Sequence, residues 1–202
     1  MKELDIFKKC LEEEGKAILE TIDSFGDEVL EAVKLIREAK GKVVVTGVGK
    51  SGHIGEKIAA SMSSTGTPSF FMHSTEGVHG DLGMITKDDV VIMISNSGET
   101  KEVLNLLPSL KTMGVKRISI TRSHESTLAK NSDVSLAYKY SKEADHLGLA
   151  PTVSSTLTLA VGDALCVTLS KLKDFSKDNF HLYHPGGALG KMLEEKGERK
   201  WV

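Results

Sequence analysis

Lys50 and Ser51 stand in the turn Gly47-Val48-Gly49-Lys50-Ser51-Gly52, directly after the β-branched run Val43-Val44-Val45-Thr46 and before a small-residue helical pattern. A buried strand, a glycine turn and a helix start bring backbone N–H groups and the positive end of a helix dipole to one point. That is a ready anion site. Lys50 adds a cation for a phosphate or for a developing oxyanion. Two nucleotide motifs fit this turn poorly. The P-loop requires a glycine five positions before Gly-Lys-Ser, and Val44 stands there. Gly47, Gly49 and Gly52 satisfy G-x-G-x-x-G, but the next strand, Ser69-Phe70-Phe71-Met72, runs into His73-Ser74-Thr75. No acidic residue follows until Glu76, too late to hold a dinucleotide ribose. A phosphate on a smaller molecule is the better reading.

A second hydroxyl-rich turn, Ser95-Asn96-Ser97-Gly98-Glu99-Thr100, follows the apolar run 90–94. Ser97 is expected to cap the following helix, Gly98 to allow close backbone approach, and Thr100 to add a hydroxyl in the first turn. Alone, such a turn reads equally well as a plain helix cap. Its pairing with the first glycine turn favours a charge-neutral phosphate cradle. Glu102 is a carboxylate beside that cradle. A helix dipole would lower its pKa and weaken it as a base unless burial offsets this. His79, before Gly80-Asp81, is a residue type that suits ring opening or proton shuttling, and Asp81 would orient it or cap the next turn. His184 precedes Pro185-Gly186-Gly187. His53 faces either the site or solvent, and His124, His146 and His181 are expected on the surface or in loops.

The elements that must position these groups follow from periodicity. Apolar residues at Leu4, Phe7, Leu11, Ile18, Leu19 and Ile22, then at Val29, Leu30, Val33 and Ile36, predict two helices across residues 1–40. This arm is expected to pack on another subunit rather than simply to cover the sheet. From Lys42 onward short apolar runs alternate with helical segments. Strands are predicted at Val43–Thr46, Ser69–Met72, Val90–Ile94, Arg117–Thr121 and Val134–Leu136. Helices are predicted at Ser51–Ser64, Lys101–Met113, a short turn near Ser126–Lys130, and Thr152–Leu172. The alternation implies an α/β protein, a three-layer, doubly wound, five-stranded parallel sheet of flavodoxin-like type. Ligands on such sheets sit beyond the carboxyl ends of the strands, at the switch point.

Bulk properties narrow the classes. The 202 residues suit one domain with a real core. The net charge of −2 comes from mixed Lys, Arg, Asp and Glu with no basic block, so no nucleic-acid partner is expected. Cys10 and Cys166 lack metal-type spacing, so a reduced compartment is expected. No signal peptide is evident and no run approaches about 20 apolar residues, so no membrane span is expected. The expected location is the cytoplasm.

The motifs VTGVGKSGHIG, STGTP, VHGDLGMIT, VIMISNSGET, GLAPTVSSTLTLAVGDAL and HPGGALG fall in one order over roughly residues 40–192. Together they resemble the sugar isomerase (SIS) domain family, and more narrowly its arabinose 5-phosphate isomerase branch. The resemblance implies a SIS domain at 41–192, a tail at 193–202 and a homotetramer. It implies aldose–ketose interconversion of D-arabinose 5-phosphate and D-ribulose 5-phosphate, toward Kdo for lipopolysaccharide or capsule. Ser51, Ser95, Asn96, Ser97 and Thr100 match phosphate-binding positions. Gly66 and Thr67 match a further substrate-binding pair, and His79 a substrate-contacting position. Lys50, Glu102, Glu143 and His184 match positions held catalytically relevant. A metal position falls at His73, with His79 and Glu143 as companions. Zinc there is as readily inhibitory as catalytic, and no cofactor is expected to be required.

Two departures stand out. Many family members continue past HPGGALG into a pair of CBS domains, and this sequence stops at Val202, so regulation through such a module is expected to be absent. Asp145-His146 stands where relatives often carry Cys-Pro, which leaves the shape of that loop open. The residues are also compatible with an isomerase for a longer sugar phosphate, or with a non-catalytic phosphosugar sensor. Lys50, His79, Glu102, Glu143 and His184 together favour the enzyme, because a sensor needs only the cradle.

Overall fold

The structure is a computed structural model that describes residues 2–185. The remainder of the expected domain to residue 192, and the expected tail at 193–202, lie outside the described residues. Two helices come first, α1 (Glu3–Thr21) and, after a 3₁₀ turn at Ile22–Ser24, α2 (Asp27–Glu38). The strands are β1 (Val43–Gly47), β2 (Ser69–His73), β3 (Val90–Ile94), β4 (Lys116–Thr121) and β5 (Val134–Ala137). Between and after them lie α3 (Gly49–Ser64), α4 (Ser74–Gly77), α5 (Lys101–Leu104), α6 (Leu107–Thr112), α7 (Thr127–Lys130), α8 (Val153–Leu172) and α9 (Lys177–Tyr183).

All strands are parallel, in the order β2-β1-β3-β4-β5. The β-branched runs are buried on both faces, as a central parallel sheet requires. Alternation assigns the faces. Val43 and Val45 of β1 and Val90, Ile92 and Ile94 of β3 join α1, α2, α3 and α8 in one core, while Val44, Val91 and Met93 join α5, α6 and α7 in the other. The chain leaves β1 toward β2 on one side and β3 toward β4 on the other, which puts the switch point between β1 and β3. Their following loops are therefore neighbours at the carboxyl edge.

The predicted strands are all present, each within a residue of its expected ends. The predicted helix Lys101–Met113 is instead two short helices. Pro108, in the first turn of the second, offers no N–H to the carbonyl of Leu104, so the α-ladder is interrupted there. α9 is not among the predicted helices, and His181 on it is buried rather than exposed. Residues 1–40 pack on their own domain: Ala17, Ala32, Val33 and Ile36 enter the larger core. The outer side of α1 nevertheless stays apolar and open, with Leu4, Phe7, Leu11 and Leu19 exposed.

The expectation of no stretch long and apolar enough for a membrane needs correction for α8, which meets both criteria with a mean hydropathy of 1.4. The reason is its central position. Leu157, Val161, Leu165 and Leu169 on one side are buried in the larger core, and Gly162 lets α3 approach so closely that a Cβ there would collide with Ile58.

Candidate active site

At the carboxyl edge a cavity of about 150 Å³ is lined by Val48, Lys50, Ser51, Ile54, Asn96, Pro151, Ser154, Ser155 and Thr158. Three segments meet in it: the first turn of α3, the loop after β3, and the first turns of α8. Its size is below the range of about 300–1,000 Å³ typical for drug-sized ligands, so it suits one group of a ligand rather than the whole. The leading N–H groups of α3 have no intrahelical acceptor, and Lys50 and Ser51 bring a cation and a hydroxyl. These are the requirements of a phosphate.

The cradle after β3 is rigid. The Oγ atoms of Ser95 and Thr100 are hydrogen-bonded at 2.7 Å, and the N–H of Gly98 donates to Ser95 Oγ at 3.0 Å. The carbonyl of Asn96 accepts from the N–H of Arg122 and from Thr121 Oγ1. Glu99 accepts from the N–H of Thr127, and this bond holds its carboxyl below the ordinary range. Gly98 has a φ of 69° and packs so close to Ser126 that a side chain would collide. Ser97 does not cap α5. The left-handed Gly98 separates it from the helix, the N-cap position is Thr100, and Ser97 Oγ instead accepts from the N–H of Glu99. With only four residues in α5, this loop's anion-binding capacity comes from local N–H and hydroxyl groups. The long helices starting at this edge are α3 and α8.

Ser154, Ser155 and Thr158 escape a reading of the sequence alone. The signal is present in Pro151-Thr152-Val153-Ser154-Ser155, a proline followed by hydroxyls at a helix start. Their neighbour Glu143 is 7 % exposed and accepts four hydrogen bonds. Oε2 receives the N–H of Thr152 at 2.9 Å, Thr152 Oγ1 at 3.2 Å and the N–H of Ser154 at 3.1 Å, while Oε1 receives the Tyr140 hydroxyl at 3.1 Å. Burial pushes its pKa up, but the bonds from Ser154, Thr152 and Tyr140 outweigh this and hold it below the ordinary carboxylate range. In this chain Glu143 is the cap of α8.

The expected site residues fall into groups. Lys50, Ser51 and Asn96 line the cavity, and Ser95, Ser97 and Thr100 shape the adjoining loop. Glu102 is exposed on α5 at the same edge but does not line the cavity; among the described residues it makes no hydrogen bond or ion pair. His73 ends β2 and His79 follows α4, both exposed at this edge. Gly66 and Thr67 lie at the opposite, amino edge, one length of α3 away, roughly 24 Å for its 16 residues. Lys173, just past α8, donates to the Gly66 carbonyl at 3.1 Å and to Thr67 Oγ1 at 3.0 Å. Phe175 covers Gly66 and lies 5.8 Å from the ring of Tyr183, so His184, stacked on Phe180, also belongs to this far edge. One chain therefore does not bring Gly66, Thr67 and His184 to the cavity.

Among the described residues no three His, Cys, Asp or Glu side chains gather as a metal site, so the residues around His73 in one chain do not by themselves fit a zinc ion. Cys10 and Cys166 are free thiols, and burial pushes the Cys166 thiol up to about 11.

The SIS domain family model matches residues 35–168. The chain belongs to the SIS domain family. This SIS domain is 50% identical over 185 residues to the arabinose 5-phosphate isomerase KdsD of Pseudomonas aeruginosa, covering 92% of the chain and 57% of that relative. It is 59% identical over 154 residues to KdsD of Escherichia coli K12, covering 76% of the chain and 47% of the relative. The chain thus spans about half the length of the curated relatives it matches. A solved structure from E. coli CFT073 in complex with arabinose 5-phosphate is 55% identical, with a TM-score of 0.88, covering 92% of this chain and 100% of that one.

Proposed function

We propose that this SIS domain interconverts D-arabinose 5-phosphate and D-ribulose 5-phosphate. The carrying observation is the cavity in which Lys50, Ser51 and Asn96 meet the start of α8 at the switch point. Likeness to the arabinose 5-phosphate complex and to the KdsD relatives supports the choice of sugar. The phosphate occupies the cavity and the sugar chain extends outward over the carboxyl edge. A base removes the proton from C2 of the open aldose, and the electron pair forms the C1–C2 enediolate. The O2 proton passes to O1, and a proton returned to C1 completes the ketose.

Glu102 is the assigned base, because its carboxylate is uncommitted while both oxygens of Glu143 are engaged. Lys50 stabilises the oxyanion or the phosphate charge, and His79 opens the furanose ring. His184, Gly66 and Thr67 sit at the far edge, so they serve a neighbouring copy's site. This agrees with a homotetramer built on the open apolar side of α1, where Phe7 and Leu11 are exposed. No cofactor or metal is assigned to the reaction. The phosphorylated substrate and free thiols agree with a cytoplasmic location, where the product pair supplies Kdo for lipopolysaccharide or capsule.

Steady-state turnover of wild type and Glu102→Gln tests the assignment. We expect kcat to fall at least about a hundredfold with KM nearly unchanged, as for loss of a general base. Unchanged kcat in the variant would remove Glu102 from the chemistry.

A further inference from the structure

Asn96 is the one cavity residue whose side chain has two chemically opposite ends, and the structure holds both. Its Nδ2 donates to the Tyr140 hydroxyl at 2.9 Å, and its Oδ1 accepts from the Tyr138 hydroxyl at 3.1 Å. Tyr140 has a single hydroxyl proton, and that proton is given to Glu143 Oε1 at 3.1 Å. The carboxylate stays ionised, so the phenol oxygen can face Asn96 only as an acceptor, and only the NH₂ end can meet it. The opposite amide orientation would set Oδ1 against that oxygen's lone pairs. Tyr138 is fully buried, and its single proton goes to Asn96 when Thr158 Oγ1, 3.0 Å away and also 2.8 Å from the Ser154 carbonyl, donates to the phenol oxygen instead. Arg122 sits 5.2 Å over the Tyr140 ring and holds it in place.

We propose that Tyr138 and Tyr140 are positioning residues that lock the Asn96 amide with its NH₂ end committed by one hydrogen only, leaving the second N–H as a fixed donor for the anion in the cavity. The lock begins at Glu143, so the carboxylate that caps α8 also decides which way Asn96 faces. An unlocked amide would spend part of its time with its oxygen toward the phosphate, where it repels rather than binds. The proposal rests on the cavity as the phosphate site, and it is independent of which sugar carries the phosphate.

The test uses Tyr140→Phe, Tyr138→Phe, Asn96→Ala and the Tyr140→Phe/Asn96→Ala double variant of the full chain. Inorganic phosphate binding is read by calorimetry, and KM and kcat for D-arabinose 5-phosphate by product formation. Loss of one oriented donor weakens phosphate binding by about five- to tenfold. Tyr140→Phe should raise the phosphate Kd and the sugar-phosphate KM by that factor, with kcat within about twofold. The double variant should bind no worse than Asn96→Ala, because the tyrosine acts only through the asparagine. The Asn96 side-chain amide NMR signals should also lose dispersion in either tyrosine variant, which gives Tyr138→Phe as the readout if Tyr140→Phe does not fold. Unchanged phosphate affinity in a folded tyrosine variant, or multiplying losses in the double variant, would overturn the proposal. Wild type that binds phosphate with these same variant effects yet leaves the sugar phosphate unchanged would refute the isomerase reading while supporting the lock.

Discussion

Glu143→Ala separates a structural carboxylate from a catalytic one. The substitution removes the cap from the 20-residue helix α8 and leaves the half-buried N–H of Thr152 and the buried N–H of Ser154 without their acceptor. Loss of a helix cap costs about 1–2 kcal/mol, and an orphaned buried donor about 1–3 kcal/mol. The two overlap, so about 2–4 kcal/mol in total is expected. At about 2–4 °C per kcal/mol for a domain of this size, Tm should fall by roughly 5–15 °C. Glu143→Gln keeps one acceptor oxygen but loses the charge, and should lie between the two. The pH dependence has a definite sign. The folded pKa of Glu143 is depressed below the ordinary 4.5, so its contribution is fully present above that value and is lost as pH falls through the folded pKa. The Tm gap between wild type and Glu143→Gln should therefore be largest near pH 7 and narrow below about pH 4.5. Thermal unfolding followed by circular dichroism from about pH 3 to 8 measures it. A variant with unchanged Tm across that range and abolished activity would refute the capping role and return Glu143 to the chemistry.

Other consequences follow from the same geometry. Gly98→Ala forces a side chain into a left-handed position against Ser126 and should cost about 2–4 kcal/mol, read as a lower denaturation midpoint; a neutral effect would show that the cradle is not tightly held. Lys50→Ala should weaken inorganic phosphate binding about tenfold in low salt and less in high salt, measured by calorimetry, and equal affinity would place the phosphate elsewhere. On the proposed tetramer, Phe7→Asp combined with Leu11→Glu should give smaller species than wild type in sedimentation and lower activity in step, since the proposal has His184 serve a neighbouring copy's site. A fully active monomer would contradict that.

The sheet is legible in the sequence because the strands are short apolar runs bounded by turn residues, a pattern set locally and strongest in β1 and β3, which are buried throughout. The glycine turn before α3 is legible for the same local reason, and it does deliver Lys50 and Ser51 to the cavity. What cannot be read is set by contacts distant in sequence. Glu143 caps a helix that begins ten residues later, and nothing in Lys142-Glu143-Ala144 signals this. Ser154 and Thr158 look like polar interruptions of an apolar core helix until the fold turns them toward Lys50. Gly66 and Thr67 carry family positions, yet the length of α3 sends them to the other edge of the sheet. The break at Pro108 is legible in principle, since a proline inside a helical pattern removes a ladder bond, but the apolar spacing across 103–110 masks it.

The isomerase reading is tested most directly by incubating the purified chain with D-arabinose 5-phosphate in D₂O after exhaustive chelation and following C1 and C2 by NMR. The expected result is ribulose 5-phosphate carrying solvent deuterium at C1, exchange of the C2 hydrogen in recovered aldose, and no need for added zinc. Phosphosugar binding without ketose or deuterium exchange would contradict the enzyme, and activity that returned only on adding zinc would contradict the metal-independent base.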